Sequence, residues 1–394
     1  MILFLHILDY LLWTIFALSV VYVAFFSIAS LLPERRRRTE SQNTCIADSS
    51  LAEFLILLPA YHEDTVIRQS VEALYHQKYP KDLYHVVVIS DHMTYETNDW
   101  LSQQPISLLQ PEFKKSSKAK ALQYAIQQTK SRHYQQVVIL DADNVVDSDF
   151  LSRLNAECRM GYQAIQCHRT AKNTDNNIAA LDGISEEINN TIFRSAHNKI
   201  GLSSALIGSG MCFSYDWLAN HIDQLSTAVE DRELEALLLL ERIHIHYAAD
   251  IYVKDEKVSS GDNFQRQRLR WMTGQVQSFI TMLPHIPKAI TQGNVDYIDK
   301  TIQQALVPRS ILLLVLPIFS VSASTIHWPA SLKWWSLLVI LLPALFIAIP
   351  RQLRFKALSS HVFALPALAW RMLKNVVYIK RNDTTFHHTE HTSK

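Results

Sequence analysis

Two aspartates separated by one alanine, Asp141 and Asp143, end the aliphatic run of VVILDADNVVDSDF, residues 137–150. Carboxylates at i and i+2 on a strand tip form a clamp for a hard divalent cation. An all-oxygen set suits Mg2+ or Mn2+, which keeps waters and bridges substrate phosphates. Three further groups could serve the same chemistry. Asp91 follows the aliphatic run HVVVIS, and Glu230 and Asp231 stand ahead of the helical pattern ELEALLLL, where a shielded, ionised carboxylate can act as a general base. Gln267, Arg270 and Trp271 sit at i, i+3 and i+4 in NFQRQRLRWMTGQVQSF, hence on one helix face. The arginine presents a planar donor fork to diphosphate oxygens, and the indole a flat apolar face to a sugar ring.

Each group also has a plainer reading. An acidic pair before a helix serves as an N-cap, and an aspartate at a strand end forms turns. Arginine and tryptophan on one face suit a helix lying at a membrane surface. A DxD after a strand also occurs in phosphatases with an aspartyl nucleophile, but those place threonine where DADNV has valine. Taken together, the four groups fit a sugar diphosphate held by a divalent metal better than any other common substrate.

The elements that must position them follow from hydrophobic patterning. FLILLP (54–59), HVVVIS (85–90) and QVVIL (136–140) read as buried strands, and TVIRQSVEALYHQ and KAKALQYAIQQT have helical periodicity. Short apolar strands separated by helices predict a parallel sheet covered on both faces, with ligands beyond the carboxyl ends of its strands. The chain of 394 residues is ample for a large core, and its formal charge of +1 excludes a globally basic, nucleic-acid-coating protein. Cys45, Cys158, Cys167 and Cys212 show no CxxC pairing, which argues against a disulfide framework or a zinc site.

Residues 10–32 carry no charge and are long enough to cross a bilayer core of roughly 30 Å. Arg35, Arg36, Arg37 and Arg38 follow that run, so the positive-inside rule places the next domain in the cytoplasm, under the plasma (inner) membrane. Residues 310–325 and 334–349 read as a helical hairpin joined by IHWPASLK, and Arg351, Arg354 and Lys356 return its end to the cytoplasm. Residues 361–378, with Arg371 and Lys374, read as an interfacial amphipathic helix, as does the region from Val295 to Arg309. The histidines of TFHHTEH, His387, His388 and His391, lack a helical metal-pairing interval and read as part of a cytoplasmic tail. The expected organisation is an anchor and linker over 1–45, a catalytic domain over 46–290, and an interfacial helix, hairpin and tail over 291–394.

With D, DxD, ED and QxxRW in this order, the chain resembles the membrane-bound family-2 glycosyltransferases of the GT-A fold over residues 54 to 275. The resemblance implies an α/β, Rossmann-like, mostly parallel central sheet with transmembrane helices at both ends. It implies a UDP-sugar donor, Mg2+ or Mn2+, and single displacement giving a β-linked product. PAYHED (59–64) resembles the family's nucleotide loop, with Tyr61 near the uracil and Glu63 also facing the nucleotide, and His62 without a role. Asp91 would bind base or ribose. Lys118 matches the family's lysine, whereas Gln123 stands where the family usually has asparagine. Asp141 would approach the sugar and ribose, and Asp143 would ligate the metal. Asp231 would be the base with Glu230 beside it, while Gln267, Arg270 and Trp271 would hold the donor. GSGM (208–211) resembles the loop lining the acceptor side and reads equally as a tight turn. Processive synthases usually carry more spans than the three expected here, which favours a lipid acceptor. A growing glycan, made with an export partner or a second copy of the chain, is the alternative. A membrane-anchored protein that binds nucleotide sugars without turnover is the reading from another class, and the ED pair argues against it.

Overall fold

The computed structural model describes residues 2–33, residues 51–354 apart from 175, 228 and 259, and residues 370, 371 and 373–375. The arginine run 35–38, Cys45 and the histidine-bearing tail lie outside the described residues.

Helix α1 spans Ile2–Ala29. The α/β body then runs β1 (Phe54–Tyr61), α2 (Ile67–Tyr75), β2 (Tyr84–Asp91), α3 (Tyr95–Ser102), β3 (Ser107–Leu109), α4 (Lys118–Thr129), β4 (Gln136–Ile139), β5 (Val145–Val146) and α5 (Phe150–Cys158). It continues through β6 (Ala164–Ala171), α6 (Asn177–Asn189), a π-helical turn over Asn190–Ser195, α7 (Ala196–Lys199), β7 (Met211–Ser214) and α8 (Tyr215–His221). Next come α9 (Glu230–Leu240), β8 (Ile245–Asp255), α10 (Gly261–Met282), α11 (Ile286–Thr291) and α12 (Val295–Ala305). Helices α13 (Arg309–Ile326) and α14 (Trp328–Ala348) complete the order.

The sheet order is β3-β2-β1-β4-β7-β6-β8-β5. Pairs β1–β2, β1–β4, β2–β3 and β6–β8 are parallel, while β7 enters antiparallel between β4 and β6 and β5 closes the edge antiparallel to β8. The α/β fold and its mostly parallel sheet match the expectation. Alternation along the strands explains the double cover. Leu55, Leu57, Val87, Ile89, Val137 and Ile139 pack on one face with α4 and α9, and Phe54, Ile56, Leu58, Val86, Val88 and Val138 pack on the other with α2 and α5. In the β1–β2 register Tyr61 lies opposite Asp91, so both reach the same carboxyl edge of the sheet.

Among the described residues three helices are long and apolar enough to cross a membrane, His6–Ala29, Arg309–Ile326 and Trp328–Ala348. They pack on one another through Phe16, Val20, Val23, Leu312, Leu316, Trp334 and Leu341. Helix α1 begins before the uncharged run and takes Asp9 into its length, where Lys333 and the Trp334 indole at 3.1 Å meet the carboxylate. The expected loop 326–333 shrinks to His327 alone. Pro329 falls in the first turn of α14, where its missing N–H costs no helical bond. Helix α12 buries Tyr297, Lys300 and Gln304 against the α/β body and exposes Val295 and Ile302. Of the segment 361–378, the described residues are helical; Arg371 pairs with Asp262 at 2.7 Å and Asn375 donates to Gln265 O at 2.9 Å, both on α10.

Candidate active site

At the carboxyl edge of the sheet a cavity of about 1250 Å³ is lined by Tyr61, Glu63, Asp91, Lys118, Asp141, Asp143, Glu230, Asp231, Gln267, Arg270 and Trp271. All the residues singled out for chemistry in the sequence therefore face one space. The DADN turn is fixed from several sides. The Asp141 amide donates to Asn144 Oδ1 at 3.0 Å and to Ser209 Oγ at 3.1 Å, while Ser70 Oγ donates to the Ala142 carbonyl at 2.7 Å. Asp143 is buried; its Oδ1 accepts from Asn144 Nδ2 and its Oδ2 from the Glu256 amide, each at 2.9 Å. Asp143 lines the cavity beside Asp141.

Lys118, the first residue of α4, joins the DxD to the ED pair. Its ammonium pairs with Asp141, donates to Gly208 O at 2.7 Å, and lies 3.3 Å from Glu230 Oε1. Burial pulls the lysine pKa down, but Asp141 and Glu230 outweigh it and hold the value above that of a free lysine. The Glu230 carboxyl is pushed up to about 7 by burial; Lys118 opposes the rise, and Asp231 and Asp141 add to it. The Asp231 carboxylate is only partly covered and accepts from the Arg232 amide at 2.9 Å. Gly208 and Gly210 adopt positive φ, 83° and 64°. A Cβ on Gly208 would lie 3.7 Å from Glu230 Oε1 and 3.8 Å from both Asp231 Oδ2 and Lys118 Nζ. The GSGM segment is thus both a tight turn and a wall of the ED pocket.

Helix α10 packs against Val229, the residue that leads into the ED pair. Gly274 is its closest approach: a Cβ there would stand 2.4 Å from Val229 Cγ1, directly before Glu230. Nearly two turns earlier, the guanidinium of Arg268 lies over the Trp271 ring at 4.3 Å and pairs with buried Asp182 of α6. One face of Trp271 is therefore occupied by an arginine, where the sequence suggested a face open to sugar.

The architecture and the converging carboxylates agree with what a comparison of the sequence with known families finds: the model of glycosyltransferase-like family 2 matches residues 52–274, more than half of the chain. The chain belongs to glycosyltransferase-like family 2. Among solved structures, the mannosyltransferase PcManGT of Pyrobaculum calidifontis, in complex with GDP-Man and Mn2+, is similar at 16% identity with TM-score 0.55. The match covers 92% of this chain and 95% of that one. TarS of S. aureus (residues 1–349) gives 14% identity and TM-score 0.42, covering 82% of this chain and 88% of that one. Its complex with UDP-GlcNAc gives 12% and 0.42 with the same coverage. Among curated proteins, none matches the chain.

In this glycosyltransferase the structure also recruits groups that local spacing did not single out. Glu186 of α6 is buried between Arg169 at 3.0 Å and Arg194 at 3.1 Å, with Lys257 close by. Burial raises its pKa, and these cations more than reverse that, holding the carboxyl well below the usual range. Arg169 also approaches Asp255 at 3.5 Å, and Asn190 of the π-helical turn donates to the Arg169 carbonyl at 2.9 Å. These residues come from several separate elements, so no short motif announces them. Arg268 did carry a signal, its i, i+3 interval to Trp271. Gln123 points elsewhere, donating at 3.0 Å to the carbonyls of Ile222 and Leu225. His92 pairs with Asp91 at 2.5 Å, and its ring stands 5.6 Å from that of His62.

The donor set fits a divalent metal of the Mg2+ class. Among the described residues no cluster of three His, Cys, Asp or Glu side chains surrounds a single point. Two carboxylates at a strand tip suffice for an ion that completes its shell with waters and diphosphate oxygens.

Proposed function

We propose that this glycosyltransferase moves a sugar from a nucleoside-diphosphate donor, UDP-linked in the first instance, to a membrane-associated acceptor, with inversion at the anomeric carbon. Tyr61, Glu63 and Asp91 hold the nucleoside. Lys118 and Asp141 orient the sugar side, and Gln267, Arg270 and Trp271 hold the diphosphate end of the donor. Asp141 and Asp143 would hold Mg2+ or Mn2+, which when bound supplies positive charge to the departing diphosphate. Asp231 takes the proton of an acceptor hydroxyl as that oxygen attacks the anomeric carbon. Its partly open carboxylate can be reached by an acceptor, whereas Glu230 is buried against Lys118. A single displacement converts an α-linked donor into a β-linked product.

The observation that carries this reading is the convergence of the DxD, ED and QxxRW groups on one cavity whose lining continues onto the apolar helices α13 and α14. The same continuity supports a multi-pass membrane protein, and the arginines 35–38 support a plasma-membrane location with the catalytic body on the cytoplasmic side. The test is nucleotide release in nanodiscs with Mg2+ or Mn2+, membrane lipid extract and a panel of UDP-sugars. GDP-mannose belongs in the panel because a fold-mate carries it. We expect one donor to be consumed by the wild type and turnover to fall at least 1000-fold in Asp231→Asn, with donor binding kept. Full turnover by the variant would remove Asp231 as the base, and absence of donor binding in the wild type would sink the reading.

A further inference from the structure

Beyond the ED pocket the cavity runs on beside α6 to the two carboxy-terminal spans, where Leu313 and Leu314 of α13 and Leu342, Leu345 and Phe346 of α14 form an apolar wall. At the head of that wall stands Arg309. Its Nη2 donates to Asn189 Oδ1 at 2.7 Å and to Ser185 O at 3.2 Å, and neither acceptor is charged. Its Nη1 is buried without a hydrogen-bond partner among the described residues. The charged groups that face it are Arg268, Glu186 and Arg194. Glu186 is shared by Arg169 and Arg194, and the carboxylate of Asp182 is taken by Arg268. Arg309 is thus a cation at the apolar end of the cavity, beside other cations, with no carboxylate of its own among the described residues. A half-buried guanidinium with a buried, unpartnered nitrogen calls for a counter-charge, and its fork matches the oxygens of a phosphate.

We propose that this end of the cavity binds a phosphate-bearing lipid, its phosphate on Arg309 and its hydrocarbon chain along the Leu313–Phe346 wall, and that this amphiphile is the acceptor: a hydroxyl elsewhere on its headgroup gives its proton to Asp231, its oxygen bonds to the anomeric carbon, and the nucleoside diphosphate leaves. The inference deepens the transferase reading above and depends on it for the word acceptor, but not for the binding. The phosphate and the chain are recognised by different parts of one continuous space. Each should therefore contribute to affinity, and their sum should exceed either alone.

The test titrates purified full-length protein in neutral detergent with farnesyl phosphate, farnesol and inorganic phosphate, with UDP binding followed in the same samples. Farnesyl phosphate should bind about ten- to a hundredfold more tightly than farnesol, as a charge-assisted contact predicts, and more tightly than inorganic phosphate. Arg309→Gln should erase the advantage over farnesol, and Arg309→Lys should retain part of it. In the turnover assay farnesyl phosphate should compete with the lipid extract and not with the nucleotide sugar. Equal binding of farnesyl phosphate and farnesol would overturn the anion site. Equal binding of inorganic phosphate would overturn the chain slot, and competition against the donor would overturn the acceptor assignment. The comparison of ligands on the wild type needs no variant, so misfolding of Arg309→Gln leaves the test intact. Loss of UDP binding by the wild type would count against the transferase reading alone, since the lipid titration decides the site by itself.

Discussion

Gly274→Ala perturbs the candidate active site without altering any group assigned to its chemistry. The new Cβ would lie 2.4 Å from Val229 Cγ1 and 3.3 Å from Val229 Cβ and Cγ2. Carbon contacts settle at about 3.5–4.0 Å, so α10 and the Val229 backbone must separate by roughly 1 Å. Overpacking of this kind costs about 1–3 kcal/mol, while alanine in place of a helical glycine returns about 1 kcal/mol. The melting temperature should therefore fall only slightly. Turnover should suffer far more, because Val229 leads directly into Glu230 and Asp231, and a displacement of about 1 Å at a reacting group costs on the order of 100-fold. The assay is donor turnover with thermal melting on the same preparation. Adding Val229→Ala removes both γ-carbons and leaves Val229 Cβ at 3.3 Å as the nearest contact, so the double variant should recover most of the lost rate. Turnover of Gly274→Ala within twofold of wild type, or no recovery in the double variant, would refute the argument.

Three further outcomes follow from the geometry. Burial lifts Glu230 to about 7 from its ordinary 4.5, against the pull of Lys118, so the native state holds a proton that the unfolded chain releases. Native stability in metal-free buffer should then fall as pH rises from 4.5 towards 7, by up to about 3 kcal/mol, and Glu230→Gln should flatten that fall; identical melting profiles over this range would exclude it. Arg268→Ala or Asp182→Ala alone should cost about 3–5 kcal/mol by leaving one buried charge unpaired, and the double variant should cost less than the sum of the two, read by melting temperature. Tyr22→Phe removes hydroxyl contacts to Asp299 at 2.7 Å and His197 at 2.9 Å. The expected loss is about 1.5–3 kcal/mol, with faster proteolysis of the amino-terminal helix, and an unchanged cleavage rate would count against these contacts.

Strands β1, β2 and β4 were legible because each is an almost wholly buried aliphatic run, and KAKALQYAIQQT coincides with α4 from Lys118 to Thr129. The carboxylates were placed by the same logic, since a strand end fixes where the next residues point. Strand β7 was not legible: four residues, MCFS, carry too little pattern to reveal a strand that enters antiparallel between β4 and β6. Pro329 in WPASLK suggested a loop, yet a first-turn proline fits a helix equally well. The cluster around Glu186 escaped for a different reason. Its members are brought together by the packing of α6, β6 and the π-helical turn, and pairings between distant elements leave no interval to count.

Helix α1 has a role that the word anchor understates. Phe26 stacks on the His197 ring at 3.7 Å, Tyr22 reaches Asp299, Lys199 donates to the Ser30 carbonyl at 2.6 Å, and Val23 lines the cavity itself. The cavity is therefore built partly from a helix long and apolar enough to span a membrane, and the α/β body is not a portable unit. Trimming the chain to obtain a water-soluble enzyme would open a wall of the chamber and strand His197 and Asp299 at a cut surface.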